Sequence, residues 1–206
     1  MNTTSPRDET APLYQEALAT FSRLLDEARA SGDPEPTAMT LATSDAQGRI
    51  SARIVLLKGV DARGFRFFTN YESAKGAHLA THAQAALCFH WKTLRDQVQV
   101  RVEGSVEKVS AAESDEYFAS RPRGSQIGAW ASFQSQPLDA RHTFEQRYDD
   151  FDRRYADKPV PRPPNWGGYR LRPDRIEFWY GATYRLHERV CYVERDGVWS
   201  KGFLYP

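Results

Sequence analysis

From Leu13 to Ser31 apolar positions recur at helical spacing, with Leu18, Phe21, Leu24, Leu25 and Ala28 on one stripe and Gly32 as a stop. After a turn at Asp33–Pro36 the period shortens to two. Ala38–Ser44, Ile50–Lys58 and Phe65–Thr69 read as short strands, separated by hairpin loops at Asp45–Gly48 and Asp61–Gly64. Ser73 caps a predicted helix that runs to His82. Two further strands follow, Ala85–Trp91 and Gln97–Val109. In the second, Val98, Val100 and Val102 alternate with Gln99, Arg101 and Glu103, the pattern of an antiparallel strand with one covered face.

Ser110 and Glu113 have the spacing of a capping box at the start of a helix over Ala111–Ser120. Asp139–Tyr155 reads as a charged amphipathic helix and Lys158–Pro164 as an extended, proline-rich connection. Strands at Tyr169–Leu171, Arg175–Trp179, Val190–Glu194 and Trp199–Phe203 close the chain, the last two joined by an Asp196-Gly197 turn. Strands that cluster in hairpins, rather than alternating with helices, predict a mainly β, α+β protein: an antiparallel barrel with helices added. The polar segment 1–12 reads as a disordered tail, and 13–206 as a single domain.

Composition narrows the function classes. The formal net charge of +1 gives no general electrostatic case for nucleic acid, so any anion site must be local. Cys88 and Cys191 lie far apart, show no metal spacing, and read as reduced thiols of a cytoplasmic protein. No apolar run approaches the roughly 18–20 residues that span a bilayer, and the first residues lack the apolar core of a signal peptide.

Phosphate-binding glycine loops, the nucleophile elbow and the HExxH zinc motif are all absent. Instead, cations recur in apolar surroundings. Arg53 and Lys58 bracket Ile54-Val55-Leu56-Leu57, on opposite faces of a regular strand. Arg121-Pro122-Arg123-Gly124-Ser125 offers guanidiniums, a hydroxyl and the amides of a following helix, a set suited to phosphate. Arg185, His187 and Arg189 would share one face of a strand and repel unless an anion or water sits there. Rim charges or solvated loops are the bland alternative at each place. His78, His82, His90 and His142 form no metal spacing and read as structural or surface residues.

Taken in order, these segments resemble the pyridoxamine 5′-phosphate oxidases, a family of FMN-binding split barrels. The resemblance rests on Glu35–Met39, Arg53–Lys58 (RIVLLK), Phe68–Asn70, Ser120–Trp130 (SRPRGSQIGAW), Gln134-Ser135, Trp166–Gly168, Ile176–Trp179 (IEFW) and Arg185–Arg189 (RLHER). It implies a homodimer with flavin sites at the two-fold interface. Arg53, Ile54, Val55, Leu56, Leu57, Lys58, Phe68, Thr69, Lys75, Gln97, Gln134, Ser135, Trp179 and Arg189 would hold FMN. Lys58, Tyr117, Arg121, Ser125 and the segment Arg185-Leu186-His187 would hold the substrate, with Arg185 and His187 nearest the reacting carbon and Leu186 turned into the barrel or the dimer interface. The implied reaction oxidises pyridoxamine 5′-phosphate or pyridoxine 5′-phosphate with dioxygen, with no metal, nucleic acid or membrane involved. Ala74 stands where family members often carry an arginine. Two rivals remain open at this point: another flavin oxidase or reductase of the same fold, and a non-catalytic carrier of pyridoxal 5′-phosphate.

Overall fold

The computed structural model describes residues 10–206. Most of the predicted tail, 1–9, therefore lies outside the described residues, and its last residue, Pro12, already opens a helix. That helix, α1 (Pro12–Ala30), starts on a proline whose missing N–H costs nothing in the first turn, and Ser31 closes it by donating to the carbonyls of Glu27 and Ala28. The stripe read from sequence is its buried face. Phe21 meets Phe65 and Phe89 edge-on at 4.8 and 5.0 Å, and Tyr14 stacks on Trp199 at 4.9 Å.

The remaining elements are β1 (Ala38–Ser44), β2 (Ile50–Leu56), β3 (Gly59–Asp61), β4 (Gly64–Asn70), α2 (Ala74–Thr81), β5 (Gln84–Trp91), β6 (Val98–Lys108), α3 (Ala111–Ser120), α4 (Arg123–Ala131), α5 (Arg141–Arg154), β7 (Trp166–Tyr180), β8 (Glu188–Arg195) and β9 (Val198–Phe203). All pairings are antiparallel, in the order β2-β1-β5-β6-β7-β4-β3, with β8 and β9 added on β7. The predicted mainly β barrel with helices is thus the observed architecture. The alternation in β6 works as read: Val98, Val100 and Val102 are buried, and the residues between them are half-exposed. No helix of the described residues is long and apolar enough to cross a membrane.

The structure corrects the reading in three places. The run 50–58 is not one strand. It breaks after Leu56, and the short β3 forms its own hairpin with β4 across Asp61–Gly64. The predicted pair Tyr169–Leu171 and Arg175–Trp179 is one 15-residue strand, β7. Pro173 suggested a break, but it faces the bulge at Glu103/Gly104 in β6, where a missing N–H does not interrupt the ladder. A Cβ at Gly104 would sit 2.1 Å from the Arg172 carbonyl oxygen, so only glycine allows this approach. Around this point β7 changes partner from β4 to β8, which turns the corner of the barrel. Third, Arg185–Arg189 is not a strand throughout. Thr183–Arg185 forms a 3-10 turn, and β8 begins only at Glu188.

Helices α3, α4 and α5 build a second, smaller core of Phe118, Ile127, Tyr155, Val160 and Trp166. The capping box is formed: Ser110 Oγ accepts from the Glu113 amide at 3.1 Å, and the Glu113 carboxylate accepts from Ser110 N–H at 3.2 Å. The same carboxylate takes the Arg170 guanidinium at 2.7 Å, which ties α3 to β7. Although partial burial opposes it, these hydrogen bonds hold the Glu113 carboxyl at about 2.

Candidate active site

The structure gathers most of the predicted residues into one cavity of about 480 Å³. Its walls come from the end of β2 (Ile54, Val55, Leu56), from Lys58, from the end of β4 (Phe68, Thr69, Asn70), and from Lys75, Tyr117, Arg121, Ser125, Gln134 and Trp166. Three cations line it and no carboxylate does. In a chain whose net charge is only +1, that is a local concentration of positive charge.

Each cation is placed by its element. Ser73 caps α2, accepting from the Gly76 amide, and so presents Lys75 in the first turn. Lys75 is only 8% exposed, and its ammonium donates to Ser73 Oγ at 2.9 Å and to Gln134 Oε1 at 2.5 Å. Thr69 Oγ1 also donates to Gln134 Oε1, at 3.3 Å, which fixes the amide. Burial, and then the neighbouring Arg53 guanidinium, bring Lys75 down to about 8. Arg53 does not line the cavity. It is anchored behind it on the Leu41 carbonyl, Thr43 Oγ1 and Ser51 Oγ. As the nearby second charge, it adds positive potential where Ala74 supplies none. Leu57 is buried in the main core, so only its backbone could serve a ligand.

Arg121 ends α3, and Pro122 opens α4, whose first turn carries Ser125. The Arg121 Nη1 atom is buried and has no hydrogen-bond partner. Its guanidinium lies over the Trp166 ring at 4.6 Å. Phe68 stacks on Tyr117 at 4.1 Å, so the phenol forms part of the same wall. Tyr117, Arg121 and Ser125, predicted as one group, thus line the same cavity.

A second group sits elsewhere on the sheet. Trp179, on β7, pairs in register with Gln99 and with Arg189. Its ring lies 4.6 Å from that of His187. Gln97, with φ of 84°, accepts the Gly181 amide on its carbonyl, and its side-chain oxygen lies 3.1 Å from His90 Nε2. The Ala182 amide donates to His187 Nδ1 at 3.1 Å. A backbone N–H can only donate, so Nδ1 carries a lone pair, and the neutral ring holds its proton on Nε2. Tyr184 and Arg185 both have left-handed backbones, φ 56° and 61°, a strained arrangement for two non-glycine residues. The strand reading of this segment fails for that reason. Leu186 is 73% exposed and does not enter the barrel. Ser135, also left-handed at φ 73°, lies exposed after Gln134.

Among the described residues no hydrogen bond or ring contact joins the two groups within one chain, and none of Gln97, Trp179, Arg185, His187 and Arg189 lines this cavity. Sequence reasoning also passed over three supporting side chains. Trp166 entered only as part of a motif. His90, expected to be structural or on the surface, is exposed, and its Nε2 meets Gln97. Glu177, 1% exposed, takes both Nε and Nη2 of Arg189 on one oxygen, at 2.9 and 2.7 Å. Its charge, between apolar Ile176 and Phe178 in an alternating strand, gave no hint of burial.

Comparison with known proteins decides the family. A profile described as pyridoxamine 5′-phosphate oxidase matches residues 25–155, and one described as the pyridoxine 5′-phosphate oxidase C-terminal dimerisation region matches 166–206. The chain belongs to the pyridoxamine 5′-phosphate oxidase family. A pyridoxine/pyridoxamine 5′-phosphate oxidase of Xanthomonas euvesicatoria pv. vesicatoria (strain 85-10) is 57% identical over 197 residues, 94% of this chain and 98% of that one. Another, of Burkholderia cenocepacia (strain HI2424), is 59% identical over 195 residues, 95% and 89% of the two chains. Among solved structures, PhzG from Burkholderia lata 383, in complex with tetrahydrophenazine-1-carboxylic acid, superposes with a TM-score of 0.87 at 29% identity, covering 98% of this chain and 100% of that one. The fold is thus shared with PhzG, while the higher identities are to oxidases of the family.

Proposed function

We propose that this chain is an FMN-dependent oxidase of pyridoxamine 5′-phosphate and pyridoxine 5′-phosphate, working as a cytoplasmic homodimer. Dioxygen is the acceptor; the products are pyridoxal 5′-phosphate and hydrogen peroxide, with ammonia released from the amine. The observation that carries this reading is the cavity with three cations and no carboxylate, in which Arg121 Nη1 is buried and unpartnered. Substrate and FMN each bring a phosphate of about −1.5 to −2 charge, by analogy with phosphorylated side chains. Two phosphates need two sets of donors, and the lining residues supply enough for both: we assign Lys75, with Thr69 and Gln134, to one and Arg121, with Tyr117, Ser125 and Lys58, to the other. Two free thiols, Cys88 and Cys191, suit a reducing compartment.

Held by Lys75, Thr69 and Gln134, FMN would supply the two-electron acceptor for hydride from the substrate's 4′ carbon. The protein's residues bind and orient. Arg121, Tyr117 and Ser125 take the substrate phosphate, while Arg185 and the Nε2–H of His187 act as donors toward the pyridine end. A neutral His187 that keeps its proton on Nε2 is a hydrogen-bond donor there, not a base. Because Trp179, Gln97, Arg189, Arg185 and His187 lie apart from the cavity in one chain, we assign them to the cavity of the partner subunit, across the two-fold axis. The decisive test is oxygen uptake by the purified protein with pyridoxamine 5′-phosphate, with pyridoxal 5′-phosphate formed in equal amount. Binding of the phosphate esters without oxygen uptake would favour the carrier reading and overturn this one.

The Lys75 environment sets a pH dependence. A phosphate dianion favours the charged ammonium, whose value in the free protein is about 8. Above that pH, binding must take up a proton, so FMN affinity should fall by up to about tenfold per pH unit; between pH 7 and 8 it should be nearly flat. Fluorescence titration of apoprotein with FMN reads this directly. Lys75→Met should weaken binding at pH 7 and abolish the slope; an unchanged slope in that variant would assign the proton to another group.

A further inference from the structure

We infer that Trp166 is a positioning residue for recognition of the substrate phosphate: its indole face holds the Arg121 guanidinium in place while leaving its N–H donors free for the anion. The inference rests on the reading of Arg121 as the phosphate ligand. Several other arginines of this protein are held by carboxylates, whereas Arg53 rests on a carbonyl and two hydroxyls. Arg170 is fixed by Glu113 at 2.7 Å, and Arg189 by Glu177 at 2.7 Å. Among the described residues no carboxylate lies within ion-pair distance of Arg121. Its guanidinium carbon instead stands 4.6 Å from the Trp166 ring centroid and 5.5 Å from that of Phe118.

The difference has a chemical consequence. A carboxylate would occupy N–H donors and neutralise the charge, and an incoming phosphate would have to displace it. An aromatic face attracts the cation through its quadrupole and uses none of the in-plane donors. Arg121 Nη1 is buried with no partner, as expected of a donor kept in reserve. The platform is rigid. Trp166 is 6% exposed and sits at the head of β7, opposite Asn70. Its amide donates to the Pro163 carbonyl at 3.1 Å. Its ring lies nearly parallel to those of Phe68 and Tyr117, at 5.7 and 6.1 Å, and meets Phe118 edge-on at 5.1 Å. An indole so wedged limits how the guanidinium can move, and both Arg121 and Trp166 line the cavity.

The test uses the FMN-loaded dimer and two probes, pyridoxal 5′-phosphate and pyridoxal, titrated by equilibrium absorbance. Trp166→Leu should weaken the phosphorylated ligand by about threefold to thirtyfold and leave pyridoxal within about twofold. In the Arg121→Ala background the same substitution should add no further loss, because the pair acts as a unit. In turnover, the KM for pyridoxamine 5′-phosphate should rise while kcat holds. If Trp166→Leu yields no folded dimer, Trp166→Phe carries the test. Its smaller face should cost about twofold to threefold for the phosphorylated probe alone. Equal losses for both probes, no loss for either, or a full additional loss in the Arg121→Ala background would overturn the inference. If Arg121→Ala itself leaves the preference for the phosphorylated probe intact, the phosphate assignment of Arg121 fails first. If Arg121→Ala removes that preference but the Trp166 variants retain it, the failure belongs to Trp166 alone.

Discussion

Arg121→Ala is expected to raise the KM for pyridoxamine 5′-phosphate by about tenfold to a hundredfold, with FMN content per chain unchanged. The guanidinium is half-buried, borders the cavity and has an unpartnered Nη1. Burial lowers its proton affinity and the nearby Tyr117 only partly offsets this, so the charge is poorly compensated until an anion arrives. Losing a charge-assisted hydrogen bond in such a place costs about 1.5–3 kcal/mol, which sets the expected range. FMN should be retained because Lys75, Thr69 and Gln134 form their own cluster, bonded to one another. Loss of flavin with an unaltered KM would put Arg121 at the wrong phosphate.

The second large effect is expected at Arg185. Arg185→Leu should slow reduction of the bound flavin at saturating substrate by about tenfold to a hundredfold, the scale of a small misplacement of reacting groups. A guanidinium that only attracted the phosphate would change KM alone. The backbone complicates the experiment in a useful way. Arg185 has φ of 61°, which leucine tolerates poorly and asparagine better. Arg185→Asn should therefore show the same slowing with less loss of thermal stability, separating the guanidinium's role from backbone strain. Anaerobic stopped-flow measurement isolates this step from oxygen chemistry. An unchanged reduction rate in both variants would leave Arg185 as a binding residue only.

The sequence displayed the fold where local rules act alone. The stripe of α1, the caps at Ser73 and Ser110, the alternation of β6 and the Asp196-Gly197 turn all appear as read. It misled where tertiary structure overrides a local cue. Pro173 signals a break, yet a bulge on the neighbouring strand absorbs it. The alternation of Arg185-Leu186-His187 mimics a strand, but the His187 clasp on the Ala182 amide and two left-handed residues make a turn instead. Of the site, the cations were legible as types without partners nearby in sequence. Their supports were not. Trp166 under Arg121, Glu177 under Arg189 and Arg53 behind Lys75 depend on contacts between separate elements, which no spacing encodes.

One measurement tests directly whether the two groups of residues form a single site across the dimer. Arg121→Ala and Arg185→Leu chains are unfolded together, refolded as mixed dimers with FMN, and assayed by oxygen uptake with pyridoxamine 5′-phosphate well below the unmodified enzyme's KM, where both defects lower the rate. If each site takes Arg121 from one protomer and Arg185 from its partner, a mixed dimer carries one site with both substitutions and one with neither. Random pairing makes half the dimers mixed, so activity should return to about a quarter of the unmodified enzyme's, far above either variant alone. If both arginines serve a site within one chain, every site keeps one defect. The mixture would then show no more than the average of the two variants, and the shared site would be contradicted.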